Sequence, residues 1–303
     1  MARILGGIAL AVVVALALLG VYLVEQVRSL RTETLAPDVS CIFGLGGNVG
    51  VLRTSEGAVV VDTMTFRMQG ERVRELAEEL GGGPVQVVLN THWHRDHTHG
   101  NPAFPPGTTI VATERTLEHL RNRDGAYWTG AAAGTLPNQT ITDQHEIKLG
   151  GKTIRAMHLG RGHTDGDMVV LFVEDRVLHT GDLFFNKLYP SIDLESGGSV
   201  KEWGDTLERV LALDFDRVIP GHGPVSDREG LVAFQRFMRQ LWQLGAEAAA
   251  KGQSLAEAQR SAVLTADSGY GVMAIPFVLR LDRDFVIQRA WQEATGAVRA
   301  DGR

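Results

Sequence analysis

An apolar stretch at residues 85–89 leads directly into a dense cluster of metal-binding side chains. His92, His94, Asp96 and His97 place three imidazoles and one carboxylate within six residues. The apolar stretch predicts a buried strand, and a loop at a strand end holds functional side chains on a rigid support. Residues two apart in an extended segment point to the same side, so His92 and His94 can bind one ion. The turn through Asp96 and His97 can serve a second ion. The sequence therefore predicts a metal site with room for two ions.

The alternative interpretation of this cluster is a solvated, histidine-rich loop that binds no metal. The chain has ten histidines among 303 residues, and such a dense pattern is rare by chance at that frequency. One loop cannot complete two coordination shells, so further ligands are expected at other strand ends. His163, Asp182 and His222 qualify, because each follows an apolar stretch and is flanked by glycine. Any one of them alone is equally compatible with a surface turn.

Short apolar stretches and helical periodicities indicate a sheet core covered by helices, which is an α/β (α+β) fold class. A serine followed three residues later by a glutamate is the capping-box pattern of a helix start. It occurs at positions 199 and 202 and again at 226 and 229, and predicts helix starts at Ser199 and Ser226. The Ala/Gly-rich piece at residues 124–137 predicts a mobile loop. Strands are predicted at 40–45, 48–54, 57–64, 85–89, 108–112, 152–158, 168–173, 176–179 and 216–219, and helices at 67–80, 200–213 and from 226 onwards.

The N-terminal segment differs from the rest of the chain, because the 21 residues from Ile4 to Val24 carry no charge. A helix of that length spans a bilayer, which favours an uncleaved transmembrane anchor over a signal peptide cleaved near Ala17. We therefore divide the chain into an N-terminal anchor or signal segment at 1–24, a polar linker at 25–37 and a catalytic domain at 38–303. The catalytic domain is expected in the periplasm or otherwise outside the cytoplasm, and is secreted if the segment is cleaved.

Charge and cysteine content exclude two classes of protein. Thirty Lys and Arg stand against 36 Asp and Glu, with a formal net charge of −6 and no basic run. Nucleic acid is therefore not expected as a partner, since its phosphates would be repelled. Cys41 is the only cysteine, so no internal disulfide supports the fold, and we expect this residue to be buried on a strand. The oligomeric state is not indicated.

The ordered set of seven ligands resembles the metallo-β-lactamase-fold hydrolase superfamily, in the branch with two metals and a bridging aspartate. The resemblance runs from about Ser40 to about Gln240 and includes Val61-Asp62-Thr63. It implies a four-layer αβ/βα sandwich, preceded here by the N-terminal apolar helix, with the metals in a cleft at one edge of the two sheets. It also implies a first site at His92, His94 and His163, a second at Asp96, His97 and His222, a bridge at Asp182 and a supporting role for Asp62 behind the metal loop.

The resemblance implies a hydrolase that binds two Zn²⁺, although imidazole and carboxylate ligands also accept iron and manganese. A metal-bridging hydroxide would attack the carbonyl of a small-molecule ester, thioester, lactone or amide, with Asp96 handling the proton. The aspartate at position 182 does not favour a β-lactam substrate, since several antibiotic-degrading members place a cysteine there. Asn186, Lys187 and Tyr189 are candidate substrate contacts, and Lys187 would favour an anionic group.

Two alternatives remain open at this point. A persulfide dioxygenase with a single iron could use His92, His163 and Asp182, but a full second ligand set would then be superfluous. A non-catalytic, membrane-tethered metal-binding domain would not need every ligand position to be filled.

Overall fold

The structure is a computed structural model that describes residues 24–275 and 279–298, together with Val14 and Gly20. The predicted anchor or signal segment at 1–24 therefore lies almost entirely outside the described residues. Within the described part of the chain, no helix has both the length and the apolar character needed to cross a membrane.

Two facing sheets form the centre of the molecule. The first sheet has seven strands and the second has six, and in both sheets the strands lie side by side in the order of the sequence. The first sheet consists of β1 (Arg31–Ala36), β2 (Val39–Phe43), β3 (Val49–Thr54), β4 (Gly57–Val61), β5 (Val85–Leu89), β6 (Thr109–Thr113) and β7 (Gln139–Ile141). The second consists of β8 (Gln144–Leu149), β9 (Lys152–Met157), β10 (Val169–Phe172), β11 (Val177–His179), β12 (Arg217–Ile219) and β13 (Ser226–Asp227), and a separate hairpin pairs β14 (Met273–Ile275) with β15 (Leu279–Leu281).

Helices cover the outer faces of both sheets, which makes the molecule a mixed α/β sandwich. The helices are α1 (Arg67–Gly81), α2 (Arg95–Thr98), α3 (Glu114–Asn122), α4 (Val200–Leu211), α5 (Arg228–Ala250), α6 (Leu255–Ser261) and α7 (Arg283–Thr295). Helix α1 packs on the first sheet, whereas α4, α5 and α7 share an apolar core with the second sheet. A third core lies between the sheets.

Strand β4 shows how the sequence builds these layers. Val59 and Val61 point into the core between the sheets, while Ala58 and Val60 point towards α1. This alternation follows the two-residue period of a strand. A strand that is apolar on both faces is therefore buried on both faces, as its uninterrupted apolar sequence predicts.

The pairing of the strands determines where the loops with functional residues meet. In the first sheet β4, β5 and β6 run parallel, and in the second β11 and β12 run parallel. The carboxyl ends of parallel neighbours lie at the same edge of a sheet. The loops that follow β4, β5, β11 and β12 consequently open onto one cleft between the two sheets.

The linker predicted at 25–37 is wrong in its second half. Residues 24–28 are helical, and Arg31–Ala36 pairs antiparallel with β2 as an edge strand. All its side chains are exposed or half-buried. The strand is therefore held by its backbone hydrogen bonds, and its sequence has no apolar periodicity from which it could be predicted. Strand β8 was missed for a similar reason, because its exposed and half-buried residues alternate without a buried face.

The two predicted helix starts have different outcomes. Ser199 caps α4 as expected, because its Oγ accepts a hydrogen bond from the Glu202 amide at 3.0 Å. Helix α5 begins one residue later than predicted, since Asp227 caps it by accepting from the Gly230 amide at 3.0 Å. Ser226 instead belongs to β13, which pairs with β12.

The packing of α4 on the second sheet gives a stability prediction. Leu207 is fully buried in the core that α4 shares with α5 and α7. Leu207→Ala removes buried methyl groups and leaves a cavity, so it should lower the free energy of unfolding by about 3 kcal/mol, measured by denaturant titration. Lys201→Ala, at an exposed position of the same helix, is the control and should change little. A loss below about 1 kcal/mol for Leu207→Ala would contradict this packing.

Candidate metal centre

All seven predicted ligands meet in the cleft at the carboxyl ends of the central strands. Four of them come from the loop and short helix α2 that follow β5, and the others follow β9, β11 and β12. Two adjacent groups can each hold a metal ion, with the donor atoms of each group lying within 4.8 Å of one another. The first group is His92, His94, His163 and Asp182, and the second is Asp96, His97 and His222. The structure thus brings together residues as far apart in the sequence as His92 and His222, which are 130 positions apart.

Asp182 lies between the two groups and presents one carboxylate oxygen to each. Its Oδ2 is 3.4 Å from His163 Nε2 and 3.7 Å from His92 Nε2. Its Oδ1 is 3.1 Å from His97 Nε2 and 3.3 Å from His222 Nε2. This arrangement suits a carboxylate shared between two metal sites.

Two glycines leave the space that these side chains occupy. A Cβ atom at Gly221 would lie 2.0 Å from Asp182 Oδ1, and one at Gly47 would lie 2.2 Å from Cε1 of the His97 ring. Both distances are far below van der Waals contact. Any other residue at these positions would displace a ligand, so the glycine beside His222 is required by packing.

Asp62 lies behind the loop and hydrogen-bonds to two of its residues. Its Oδ2 accepts a hydrogen bond from His97 Nδ1 at 2.7 Å, and its two oxygens accept from the Thr91 amide and hydroxyl, each at 2.8 Å. The Thr91 hydroxyl oxygen in turn lies 3.0 Å from His92 Nδ1. Asp62 is fully buried and adopts a left-handed backbone conformation with φ of 66°. Its carboxylate therefore holds His97 directly and His92 through Thr91.

The other two imidazoles of the first group are oriented by different elements. His94 Nε2 lies 3.0 Å from Asp193 Oδ2, and His163 Nδ1 lies 2.9 Å from the Ser191 carbonyl oxygen. Both partners are acceptors, so each of these nitrogens carries the ring proton. Asp193 was missed by the sequence analysis, because it lies 99 residues from His94 and follows no strand.

The inward-facing nitrogens give a direct test of whether the site suits a cation. His94 Nδ1 and His163 Nε2 lie 2.7 Å apart. Since the other nitrogen of each ring carries the proton, two lone pairs face each other at this distance. In addition, the buried atoms His92 Nε2 and Asp182 Oδ1 have no hydrogen-bond partner among the described residues. A divalent cation in the first group would satisfy the three imidazole nitrogens, and one in the second group would satisfy Asp182 Oδ1, so the donor set fits metal ions.

Burial and neighbouring charges give His92, His163 and Asp182 the protonation states that metal binding needs. Burial lowers the pKa of His163 to about 4, and burial with the nearby His97 lowers the pKa of His92. Burial alone would raise the pKa of Asp182, but His222 and His97 hold it well below its ordinary value. At neutral pH these two imidazoles are neutral and the carboxylate is ionised, which are the forms that bind metal.

A cavity of about 440 Å³ opens beside the metal centre. His94 and Asp96 lie in its wall, together with Trp93. This cavity is where a substrate would reach both groups of ligands.

The predicted substrate contacts Asn186, Lys187 and Tyr189 are not among the residues that line this cavity. The Asn186 side-chain amide donates to the Pro224 carbonyl at 2.9 Å, and the Tyr189 hydroxyl donates to Asp267 Oδ2 at 2.7 Å. Lys187 is exposed. These residues follow Asp182 directly, and the Asn186 backbone amide donates to the His222 carbonyl at 3.0 Å. Their role as substrate contacts stays a prediction.

Residues 124–137, which were predicted as a mobile loop, contain an ordered aromatic cluster. Trp128 is 5% exposed, and its Nε1 donates to Asp124 Oδ2 at 2.9 Å. His99 is buried and lies 2.7 Å from the same carboxylate oxygen through Nε2. Its ring stacks on Tyr127 with centroids 3.6 Å apart. The segment is therefore anchored at Asp124, which lines the cavity.

Comparison with known proteins agrees with this geometry. Residues 42–222 match the family model described as the metallo-beta-lactamase superfamily. The chain belongs to the metallo-beta-lactamase superfamily. This confirms the predicted family, and the protein is an enzyme of this superfamily of metal-dependent hydrolases.

Two curated relatives and one solved structure illustrate the similarity. A metallo-beta-lactamase type 2 from Bacillus sp. (strain 170) is 29% identical over 181 residues, which are 59% of this chain and 67% of that protein. An atrochrysone carboxyl ACP thioesterase from Aspergillus fumigatus is 25% identical over 216 residues, which are 67% of this chain and 63% of that protein. In fold, the chain resembles a metallo-beta-lactamase from Pontibacter korlensis with a TM-score of 0.60 and 21% identity, over 70% of this chain and 99% of the other.

The hydrogen bonds of Asp62 generate a prediction about metal affinity. Asp62→Asn keeps the size of the side chain and tolerates the left-handed backbone, but it removes the charged acceptor for His97 Nδ1. Zinc affinity, measured by competition with a chromophoric chelator, should fall by about 10- to 100-fold.

Asp165→Asn is the matched control for that experiment. Asp165 also accepts from a histidine, His119 Nε2 at 2.7 Å, but neither residue belongs to the two ligand groups. This variant should bind zinc as tightly as the unmodified protein. Equal zinc affinity for Asp62→Asn and Asp165→Asn would show that Asp62 does not support the site.

Proposed function

We propose that the protein is a di-zinc hydrolase that cleaves an ester, thioester, lactone or amide of a small molecule. The observation that supports this proposal most strongly is the position of Asp182, whose two carboxylate oxygens face two separate and complete ligand groups. A protein that needed one ion would have no use for the second group. This also argues against a persulfide dioxygenase with a single iron and against a domain without catalytic activity.

The ligand chemistry supports zinc as the resident metal. The seven ligands comprise five imidazoles and two carboxylates, a set without thiolates that suits zinc and that iron and manganese also accept. Two ions held by these residues would supply a water of lowered pKa as the nucleophile and would polarise the carbonyl oxygen of the substrate.

Asp96 is the residue that we propose to handle the proton. Its Oδ2 lies 3.2 Å from His222 Nε2, and 34% of its side chain is exposed, in the wall of the cavity. Burial alone would raise the pKa of Asp96, but His97 and His222 hold it below its ordinary value. The carboxylate is therefore ionised at neutral pH, so it can accept a proton from the attacking water and pass it to the leaving group.

The relatives support a carbonyl compound as the substrate. One is named a metallo-beta-lactamase and another an acyl carrier protein thioesterase. An aspartate at the bridging position still leads us to favour an ester, thioester or lactone over a β-lactam. Anchoring by residues 1–24, with the catalytic domain outside the cytoplasm, stays a prediction.

Metal content tests the proposal directly. The full-length protein, purified in a neutral detergent, should contain close to two zinc ions per chain by elemental analysis. Chelation should abolish hydrolysis of a chromogenic ester, and added zinc should restore it, because all seven ligands serve the ions. Close to one iron per chain, with oxygen consumed in the presence of a persulfide, would overturn the proposal in favour of the dioxygenase.

The role of Asp96 is tested by Asp96→Asn, which keeps an oxygen ligand but removes the base. The value of kcat should fall by about 100- to 10,000-fold, while the thermal unfolding temperature and the zinc content change little. Asp205→Asn, at an exposed position on α4, should retain full activity. Near-normal turnover by the Asp96 variant would rule out the assigned mechanism.

A further inference from the structure

The cavity beside the metal centre contains basic as well as acidic side chains. Its wall includes three aspartates, Asp96, Asp124 and Asp193, and two arginines, Arg95 and Arg123. By simple count the wall would be acidic. Which of these charges is available to a ligand depends on the partners that each side chain already has.

Each of the three carboxylates is held by a histidine. The pairs are Asp193 with His94 at 3.0 Å, Asp124 with His99 at 2.7 Å and Asp96 with His222 at 3.2 Å. Asp124 also accepts from Trp128 Nε1. The acidic groups of the wall are therefore engaged by the protein itself.

The two arginines lack such partners. Arg95 is the first residue of α2, between the ligands His94 and Asp96, and none of the ion pairs within the described residues includes it. Arg123 follows α3 and donates through Nη2 to the backbone carbonyl of Glu195, which is a neutral acceptor. The Glu195 carboxylate is occupied by Arg289, with Nη1 and Oε1 3.0 Å apart. Among the described residues, both guanidinium groups lack a counter-ion.

Two buried hydrogen-bond donors on the same wall also lack partners. Trp93 Nε1 and Ser196 Oγ make no hydrogen bond among the described residues, and Ser196 is fully buried. Both residues line the cavity. A buried donor without an acceptor is costly, so these atoms point independently to a ligand that brings acceptor oxygens.

We infer that the substrate of the proposed hydrolase carries an oxyanion, a carboxylate or a phosphate, which Arg95 and Arg123 bind in this cavity while its acyl group lies at the metal centre. This inference rests on the proposed function and adds the class of substrate. A guanidinium group binds a carboxylate or phosphate through two parallel hydrogen bonds, and the interaction is stronger in a partly enclosed cavity than in water. The sequence analysis had placed this role on Lys187, which lies outside the cavity wall.

A matched pair of esters tests the inference. The 4-nitrophenyl monoester of glutarate and the 4-nitrophenyl ester of pentanoate share the scissile group and differ in a terminal carboxylate. With the full-length, zinc-loaded protein, Arg95→Ala and Arg123→Ala should each raise KM for the glutarate monoester by about five- to tenfold with kcat unchanged. KM for the pentanoate ester should stay within about twofold, since it has no group for the arginines to bind.

Arg121→Ala is the control for a general effect of charge. Arg121 lies two residues before Arg123, at the end of the same helix, but it lines a separate groove with Glu114 and Glu118. This variant should leave KM for both esters unchanged. Partial recovery by Arg95→Lys would support a role in charge recognition. Equal KM values for the glutarate monoester in the unmodified protein and both arginine variants would overturn the inference, while hydrolysis of the two esters would still support the proposed function.

A binding measurement separates failure of the inference from failure of the proposed function. Glutarate and inorganic phosphate are titrated calorimetrically into the zinc-loaded protein, and the tighter of the two identifies the oxyanion. The double variant Arg95→Ala, Arg123→Ala should bind that ion at least about tenfold more weakly, while Arg121→Ala binds it normally. This result supports the inference even if neither ester is hydrolysed. Equal affinity in all three proteins overturns it, whatever the activity.

Discussion

The buried carboxylate of Asp182 is the group around which the two halves of the site are organised. Only 3% of its side chain is exposed, and an ionised carboxylate without partners would be very costly at that depth. Four imidazoles surround it, two on each oxygen. They reach it because β5 in one sheet and β9, β11 and β12 in the other end at the same cleft. The stacking of the two sheets is thus a condition for burying this charge.

Supporting residues behind the ligands determine which atom of each imidazole is available. One outward ring nitrogen of each of three histidines donates a hydrogen bond, to Asp62, to Asp193 or to the Ser191 carbonyl. The other nitrogen of each ring therefore directs its lone pair inwards. The two lone pairs that face each other at 2.7 Å are repulsive without a cation. The metal-binding character of the cleft is therefore a property of the second layer of hydrogen bonds as much as of the ligands.

Hydrogen bonds within the protein also distinguish the charged side chains of the cavity wall from one another. Histidines hydrogen-bond to the carboxylates of the wall, whereas Arg95 and Arg123 have no carboxylate partner among the described residues. The two arginines are therefore the charged groups of the wall that can bind an anion. Arg95 lies between His94 and Asp96 in the sequence, so the proposed oxyanion site is directly beside the metal centre. An oxyanion bound there would fix the distance of the acyl group from the metal centre.

The sequence alone predicts the seven candidate ligands and their order, the aspartate behind them, the family and most of the central strands. These features are local, since ligand type and apolar periodicity can be read from consecutive residues. Which residues share the cavity depends instead on how the chain packs. The tertiary structure joined Asp193 to His94 across 99 residues, ordered the segment around Asp124 against His99, and placed Arg123 rather than Lys187 in the wall. It also showed β1 as an edge strand. Contacts between distant residues depend on how the two sheets and their loops pack, and an edge strand can pair through its backbone without an apolar period. Neither feature leaves a pattern that can be read from the sequence.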